Sequence, residues 1–180
     1  LRSITIPNTV KTIGTWSFSS CDALKTVEIL GSETIGTYAF YYSKNIETVS
    51  VRNVKSIGVN AFSSCLNLKT VYLENVDTVG DYSFGASSNG EYSGNNKSLD
   101  TVTLKNITTI GRYAFGYAIN LNLVEMKDVT IINEFAFIGC SALSAVNIDA
   151  VTVEKGAFES CTSLTAVTIG TRVKELLNYG

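Results

Sequence analysis

The sequence predicts a repeat solenoid, one unbroken stack of short units joined by a parallel sheet, on the strength of three observations. The first is a fixed period. When the chain is aligned on itself, Phe18, Phe40, Phe62, Phe84, Phe115, Phe137 and Phe158 fall into register. The second is a Leu or Ile opening each copy, at Leu1, Leu24, Ile46, Leu68, Leu99, Leu121 and Leu143, with a partial eighth copy at Leu164. The third is a constant apolar pattern inside every copy. Successive starts lie 23, 22, 22, 31, 22, 22 and 21 residues apart. That regularity makes residues 1–180 a single domain of repeats 1 to 8, with an insertion in repeat 4 at about residues 85–97.

Each element of the unit follows from its residues. Leu24, Val27 and Ile29 match Ile46, Val49 and Val51, then Leu68, Val71 and Leu73. The end of this stretch alternates apolar and polar with a period of two, the pattern of a strand with one buried face. A second apolar pair follows, as in Val54 and Ile57 or Ile107 and Ile110, and predicts a second short extended piece. Gly14, Gly36, Gly58, Gly80 and Gly111 close it, and a glycine there suggests a turn through positive φ. The residues around each Phe, such as Thr37-Tyr38-Ala39-Phe40, are expected to form one helical turn.

Such a unit cannot stand alone. Two or three inward residues per strand do not offset the entropy of ordering some 22 residues, at roughly 1–2 kcal/mol each. Stacking joins the strands into a parallel sheet of about eight short strands and the Leu, Val and Phe residues into continuous core ladders. The class is therefore α/β or mainly β.

Composition narrows the function. Apolar residues make up 45% of the chain and charged residues 17%, the opposite of a disordered balance. A net charge of −2 leaves no electrostatic footprint for nucleic acid or an anionic membrane. No apolar run reaches the roughly 18 residues of a membrane span, so no membrane insertion is expected. The chain has no His, the commonest general base and transition-metal ligand. No nucleophile–base pair or carboxylate pair stands apart from the repeat. Neither an enzyme nor a cofactor or metal site is expected.

The repeat motif reads L-x-x-V-x-I, then V-x-x-I-G, then x-A-F-x-x-C. It is seen in Ile46-Glu47-Thr48-Val49-Ser50-Val51, Val54-Lys55-Ser56-Ile57-Gly58 and Ala61-Phe62-Ser63-Ser64-Cys65. This resembles the BspA-type (Treponema pallidum-type) leucine-rich repeats over nearly the whole chain. The resemblance implies a curved, right-handed leucine-rich-repeat superhelix from a larger surface or secreted protein, associated with adhesion to host proteins or other cells. It brings no catalytic residues. Only Ile6-Pro7 keeps the family's Ile-Pro step, Asn133 replaces the usual Gly, and repeat 7 is one residue short around Val153-Glu154-Lys155-Gly156.

Several positions are candidates for contact with a partner. The outward strand positions should form two ladders. One runs Ser3, Thr26, Thr48, Thr70, Thr101, Leu123, Ala145, Ala166; the other runs Thr5, Glu28, Ser50, Tyr72, Thr103, Glu125, Asn147, Thr168. Thr is a good strand former, so propensity alone explains much of the first. A binding site would centre on Tyr72, the one aromatic in these rows, flanked by Glu28, Lys69, Glu74 and Glu125. Thr26, Glu28, Thr48, Ser50, Thr70, Tyr72, Thr101, Thr103 and Glu125 make up that candidate site, joined by Tyr92 from the repeat 4 insertion. A further row two residues before each Phe (Trp16, Tyr38, Asn60, Tyr82, Tyr113, Phe135, Gly156) shields the core or offers a ring-stacking platform.

Cys21, Cys65, Cys140 and Cys161 stand three residues after the repeat Phe, in a slot filled elsewhere by Ser43, Ser87 and Ala118. A slot that accepts Cys, Ser or Ala is small and semi-buried, which favours structural thiols. Cys140 and Cys161, in adjacent repeats, are the one pair near enough for a disulfide. Asn96-Lys97-Ser98 and Asn106-Ile107-Thr108 fit the N-glycosylation pattern.

These features together predict a non-catalytic module binding a protein or glycan. The cell-surface or secreted location and the adhesive role come from the resemblance. A structural spacer of a surface protein and an intracellular scaffold are the alternatives. Leu1 opens on a core position and Gly180 falls within repeat 8, so further repeats in a longer chain, or end-to-end self-association, are expected.

Overall fold

The computed structural model describes residues 2–85 and 96–177. Each repeat contributes a strand at its outward rows, and the units stack in parallel. The strands are β1 (Ser3–Ile6), β2 (Thr12–Ile13), β3 (Thr26–Ile29), β4 (Ser32–Ile35), β5 (Thr48–Ile57) and β6 (Thr70–Val79). They continue with β7 (Thr101–Ile110), β8 (Leu123–Ile132), β9 (Ala145–Ile148), β10 (Thr152–Val153), β11 (Ala166–Ile169) and β12 (Glu175–Leu176). The main sheet runs β1-β3-β5-β6-β7-β8-β10-β12, with β4 beside β2 and β5, while β9 and β11 form a separate pair. Register follows the repeat: Thr26, Thr48, Thr70, Thr101 and Leu123 are partners in line.

The core is a set of ladders running through the stack. Val27, Val49, Val71 and Val102 are buried beneath the sheet, as are Leu24, Ile46, Leu68 and Leu99. Neighbouring rings of the Phe row stack at 4.8–5.3 Å from Phe18 to Phe158. Such spacing suits offset aromatic pairs and matches the strand repeat of about 4.8 Å. Phe40, Phe62, Phe84, Phe115 and Phe137 are fully buried.

Three local expectations change. The segment around each Phe is a run of turns, and no helix occurs among the described residues. Residues four apart there have positive φ, as in Tyr38 (56°) and Tyr42 (58°), so a helical hydrogen-bond ladder cannot form. Their amides reach across instead: Tyr38, Phe40 and Tyr42 N–H donate to Val59, Ala61 and Ser63 C=O at 3.1, 2.8 and 3.0 Å. The intervening Ala39 and Tyr41 N–H close local turns onto Gly36 and Tyr38 C=O at 3.2 and 3.1 Å. Every second amide thereby ties one repeat to the next.

The closing glycines do not need positive φ. Their constraint is backbone approach: a Cβ on Gly58 would lie 2.6 Å from Thr37 N, and one on Gly36 the same distance from Thr15 N. The left-handed corner falls earlier, at Asn53 (57°), Asn75 (54°), Asn106 (54°) and Asp128 (57°). Asn is among the few L-residues that visit this region readily. These side chains form a further ladder, Asn75 Nδ2 donating to Asn53 Oδ1 at 2.9 Å and Asn106 Nδ2 to Asn75 Oδ1 at 2.8 Å.

The third change concerns repeat 7. Thr152 and Val153 pair with Ile131 and Ile132, so its missing residue lies before Thr152. No corner residue with positive φ occurs there.

Candidate functional site

Period-two alternation on paired strands puts the predicted contact residues on one face. Thr26, Thr48 and Thr70 are exposed and Thr101 is half-buried, with Thr48 Oγ1 donating to Thr26 Oγ1 at 3.3 Å. In the second row Glu28, Ser50, Tyr72, Thr103 and Glu125 are direct partners across neighbouring strands. Tyr92 lies outside the described residues.

The surroundings of Tyr72 differ from those expected. Two cations hold its ring: the Arg52 guanidinium carbon is 4.9 Å from the ring centroid and Lys105 Nζ is 5.4 Å from it. Both come from the next outward position along the strand, the row from which the sequence alone singled out only Glu74. Arg52 also reaches Glu28 Oε1 at 3.3 Å and Glu74 Oε2 at 3.5 Å. The flanking carboxylates are therefore organised by Arg52, and only indirectly by Tyr72. Lys69 turns away to Glu47 at 3.8 Å, and Thr103 Oγ1 donates to Glu125 Oε2 at 3.2 Å. The Glu47 carboxyl is held below its usual value chiefly by its hydrogen bond from Lys25, at 2.7 Å.

Ser50 Oγ is covered and has no hydrogen-bond partner among the described residues. Ser50, between Glu28 and Tyr72 in register, therefore does not present its hydroxyl to solvent. Lys127 partners Lys105 in register, which sets two like charges side by side. The face is a mixed-charge surface around one clamped aromatic ring.

The cysteine slot is structural. All four thiols are free. Cys65, Cys140 and Cys161 Sγ donate to Phe40, Phe115 and Phe137 C=O at 3.4, 3.4 and 3.3 Å, as Ser43 Oγ does to Phe18 C=O at 2.8 Å. In repeat 4 the donor is Asn96, whose Nδ2 bonds Phe62 C=O at 3.0 Å and Phe84 C=O at 2.8 Å. The slot is counted back from the following Leu, so Asn96 and not Ser87 fills it. Asn96 is buried, which also makes it unsuitable as a glycosylation acceptor in the folded chain. Burial pushes the Cys65 thiol up to about 12, and the neighbouring Cys161 together with burial raises Cys140. No cluster of three or more metal-ligating side chains occurs among the described residues.

On the turn side Trp16 stacks on Tyr38 at 4.2 Å, and Tyr82, Tyr113 and Phe135 stack at 4.9 and 5.3 Å. Asn60 separates the two groups. Burial by neighbouring rings, then Tyr82, raises the Tyr113 hydroxyl above its usual value.

Comparison with known proteins agrees with this geometry. The description "BspA type Leucine rich repeat region" matches residues 1–93 and 87–179, in six copies. A leucine-rich repeat protein from Eubacterium ventriosum ATCC 27560 is 32% identical, with a TM-score of 0.76 over 92% of this chain and 44% of its own. The chain thus spans less than half the length of that relative. The leucine-rich repeat protein of T. pallidum is 21% identical, with a TM-score of 0.74 over 91% of this chain and 78% of its own. No curated protein matches.

Proposed function

Because the chain belongs to the BspA-type leucine-rich-repeat family, we propose that it is a non-catalytic recognition module of a cell-surface or secreted protein. The surface location and the adhesive role rest on that family membership. The observation that carries the recognition reading is the Tyr72 ring held between Arg52 and Lys105 on the outward sheet face. Tyr and Arg supply much of the energy at protein interfaces, because they bury large areas while keeping polar handles. Fixing the ring before contact lowers the entropy lost on binding. A face carrying Glu28, Arg52, Glu74, Lys105, Glu125 and Lys127 suits a protein partner of mixed charge better than a polyanion.

Biolayer interferometry against matrix proteins, mucins and glycans tests this reading. The chain is compared with Tyr72→Ala and with a variant lacking residues 87–95. That deletion keeps Asn96, restores the 22-residue spacing and leaves the Phe62 and Phe84 carbonyls their donor. A ligand that Tyr72→Ala weakens at least tenfold, about 1.4 kcal/mol, with the melting temperature unchanged, supports a recognition face. Binding indifferent to both changes, or none, favours the spacer.

A further inference from the structure

Among the described residues the outward strands lose their pairing at one junction, between β8 and β9. On one side Thr101 to Leu104 pair fully with Leu123 to Met126, and on the other Ala145 to Ile148 pair fully with Ala166 to Ile169. At neighbouring junctions two amides converge on one carbonyl. Asn122 and Leu123 N–H donate to Asp100 C=O at 2.9 and 3.1 Å, and Thr165 and Ala166 N–H donate to Ser144 C=O at 3.0 and 3.2 Å. Ser144 and Ala145 make no equivalent bonds to Asn122. A cleft of about 400 Å³ lies there, lined by Leu123, Glu125, Met126, Ala145, Asn147 and Thr168 among others.

The opposite side of the same junction is closed. Phe135, Phe137 and Gly139 N–H donate to Lys155, Ala157 and Glu159 C=O at 3.2, 2.8 and 2.8 Å. Phe137 and Phe158 stack at 5.2 Å, and Cys161 Sγ bonds Phe137 C=O. The junction is also bonded at β10, where Val151 and Glu154 N–H donate to Thr130 and Ile132 C=O at 3.0 and 2.8 Å. Only the outward strands are therefore free to part, as a flap hinged on the rest.

The origin is the short seventh repeat. With one residue fewer between Ile148 and Thr152 than β8 has, the chain cannot follow the path of β8, and strand pairing resumes only at Thr152. Where the corner is lost, side chains take over. Asp149 Oδ2 accepts the Asp128 N–H at 2.8 Å, and Arg172 Nη1 reaches Asp128 Oδ1 at 2.8 Å and Asp149 Oδ2 at 3.6 Å. Those three residues belong to repeats 6, 7 and 8.

From this arrangement we infer that the outward strands β9 and β11 open together as one unit away from β8, hinged on the turn-side and β10 edges of this junction, with the Arg172 bridge as the latch. Opening widens the β8–β9 cleft and changes the spacing between Glu125 and Asn147 on the outward face. A strand edge without its ladder lies at the low end of local stability. A partly exposed ion pair is a weak restraint that salt screens.

Hydrogen–deuterium exchange on the whole chain, resolved by residue, tests this. The Ala145 and Asn147 amides should exchange faster than those of Thr70 and Tyr72. Arg172→Gln should raise exchange across residues 144–149 and 165–170 together by about fivefold, the scale of one such ion pair. Residues 26–110 should stay unchanged, and about 0.5 M sodium chloride should act in the same direction. Inserting one Asn between Asp149 and Ala150, which restores the corner, should slow exchange at Ala145 and Asn147. A graded rise from repeat 6 to repeat 8 that ignores Arg172 would mean simple end fraying and overturn the hinge, as would an insertion that leaves those two amides unaffected.

Discussion

Repeats 3 to 6 and the junction between repeats 6 and 7 are built from the same motif and hold together differently. In repeats 3 to 6 each strand runs ten residues, from Thr48–Ile57 to Leu123–Ile132, and turns at an Asn or Asp corner. Their backbones approach so closely that the closing position is Gly in repeats 3 to 5. At the next junction one corner residue is missing, the outward strands unpair, and the closing position is filled by Asn133 and then Glu154. Both of these still donate to the preceding repeat, to Ile110 and Ile132 C=O at 3.0 and 2.8 Å. The Phe stack crosses the junction unchanged. The lesson is that this solenoid has two separable fastenings: the loss of one residue leaves the turn-side one intact and opens the outward strands, whereas one extra residue between Ile6 and Thr12 leaves β1–β3 and β2–β4 paired.

The largest effect that sharpens the contrast lies in the Phe row. Phe62→Ala should cost about 3–5 kcal/mol in urea denaturation, as truncating a fully buried aromatic does. Phe158 is only partly buried, and its truncation should cost less than half as much. Equal losses would mean that the stack is as tight at repeat 7 as at repeat 3.

Backbone approach comes next. Gly58→Ala should cost about 1–3 kcal/mol, because the added Cβ overlaps main chain that cannot move alone. Gly14→Ala should stay within about 0.5 kcal/mol, since its nearest contact would be 3.9 Å away. A neutral Gly58→Ala would remove the steric account of the closing glycine.

The corner ladder is smaller. Asn75→Ala should lose about 1–2 kcal/mol, the cost of holding a residue with an ordinary Cβ at positive φ. Asn75→Gly should recover part of it. Thermal melts of the two variants separate corner strain from the lost side-chain ladder.

The smallest effect is a pH dependence. The folded Cys65 pKa lies above its ordinary value, so the neutral thiol favours the folded chain. Its contribution is complete below about pH 9 and is lost as pH rises from there towards 12. Cys65→Ser keeps a donor of the kind Ser43 provides, and the melting temperature of the variant should fall less steeply than that of the parent chain above pH 9. Parallel curves would show that the thiol does not titrate in this window.

Much of the fold was readable because a solenoid writes its core into the sequence at fixed intervals. The Phe register located each turn, and period-two alternation sorted Val71 inward and Tyr72 outward. The Asn corner was equally periodic at Asn53, Asn75 and Asn106, but it lay outside the apolar pattern being counted. The candidate site was readable in part. Alternation placed its rows on the outward face, but the packing of Arg52 and Lys105 on Tyr72 was not legible, since a ring is claimed by whichever neighbouring cation reaches it across strands.

By itself, then, the sequence determined the repeat period and the residues facing inward, because each follows from spacing along one chain. Only the tertiary structure decided that turns replace a helix, that the glycines serve close approach, that Asn96 fills the donor slot, and that the sheet parts at β8–β9. Each of these depends on where the next repeat's backbone lies, and that distance is set by stacking, not by the order of residues within a unit.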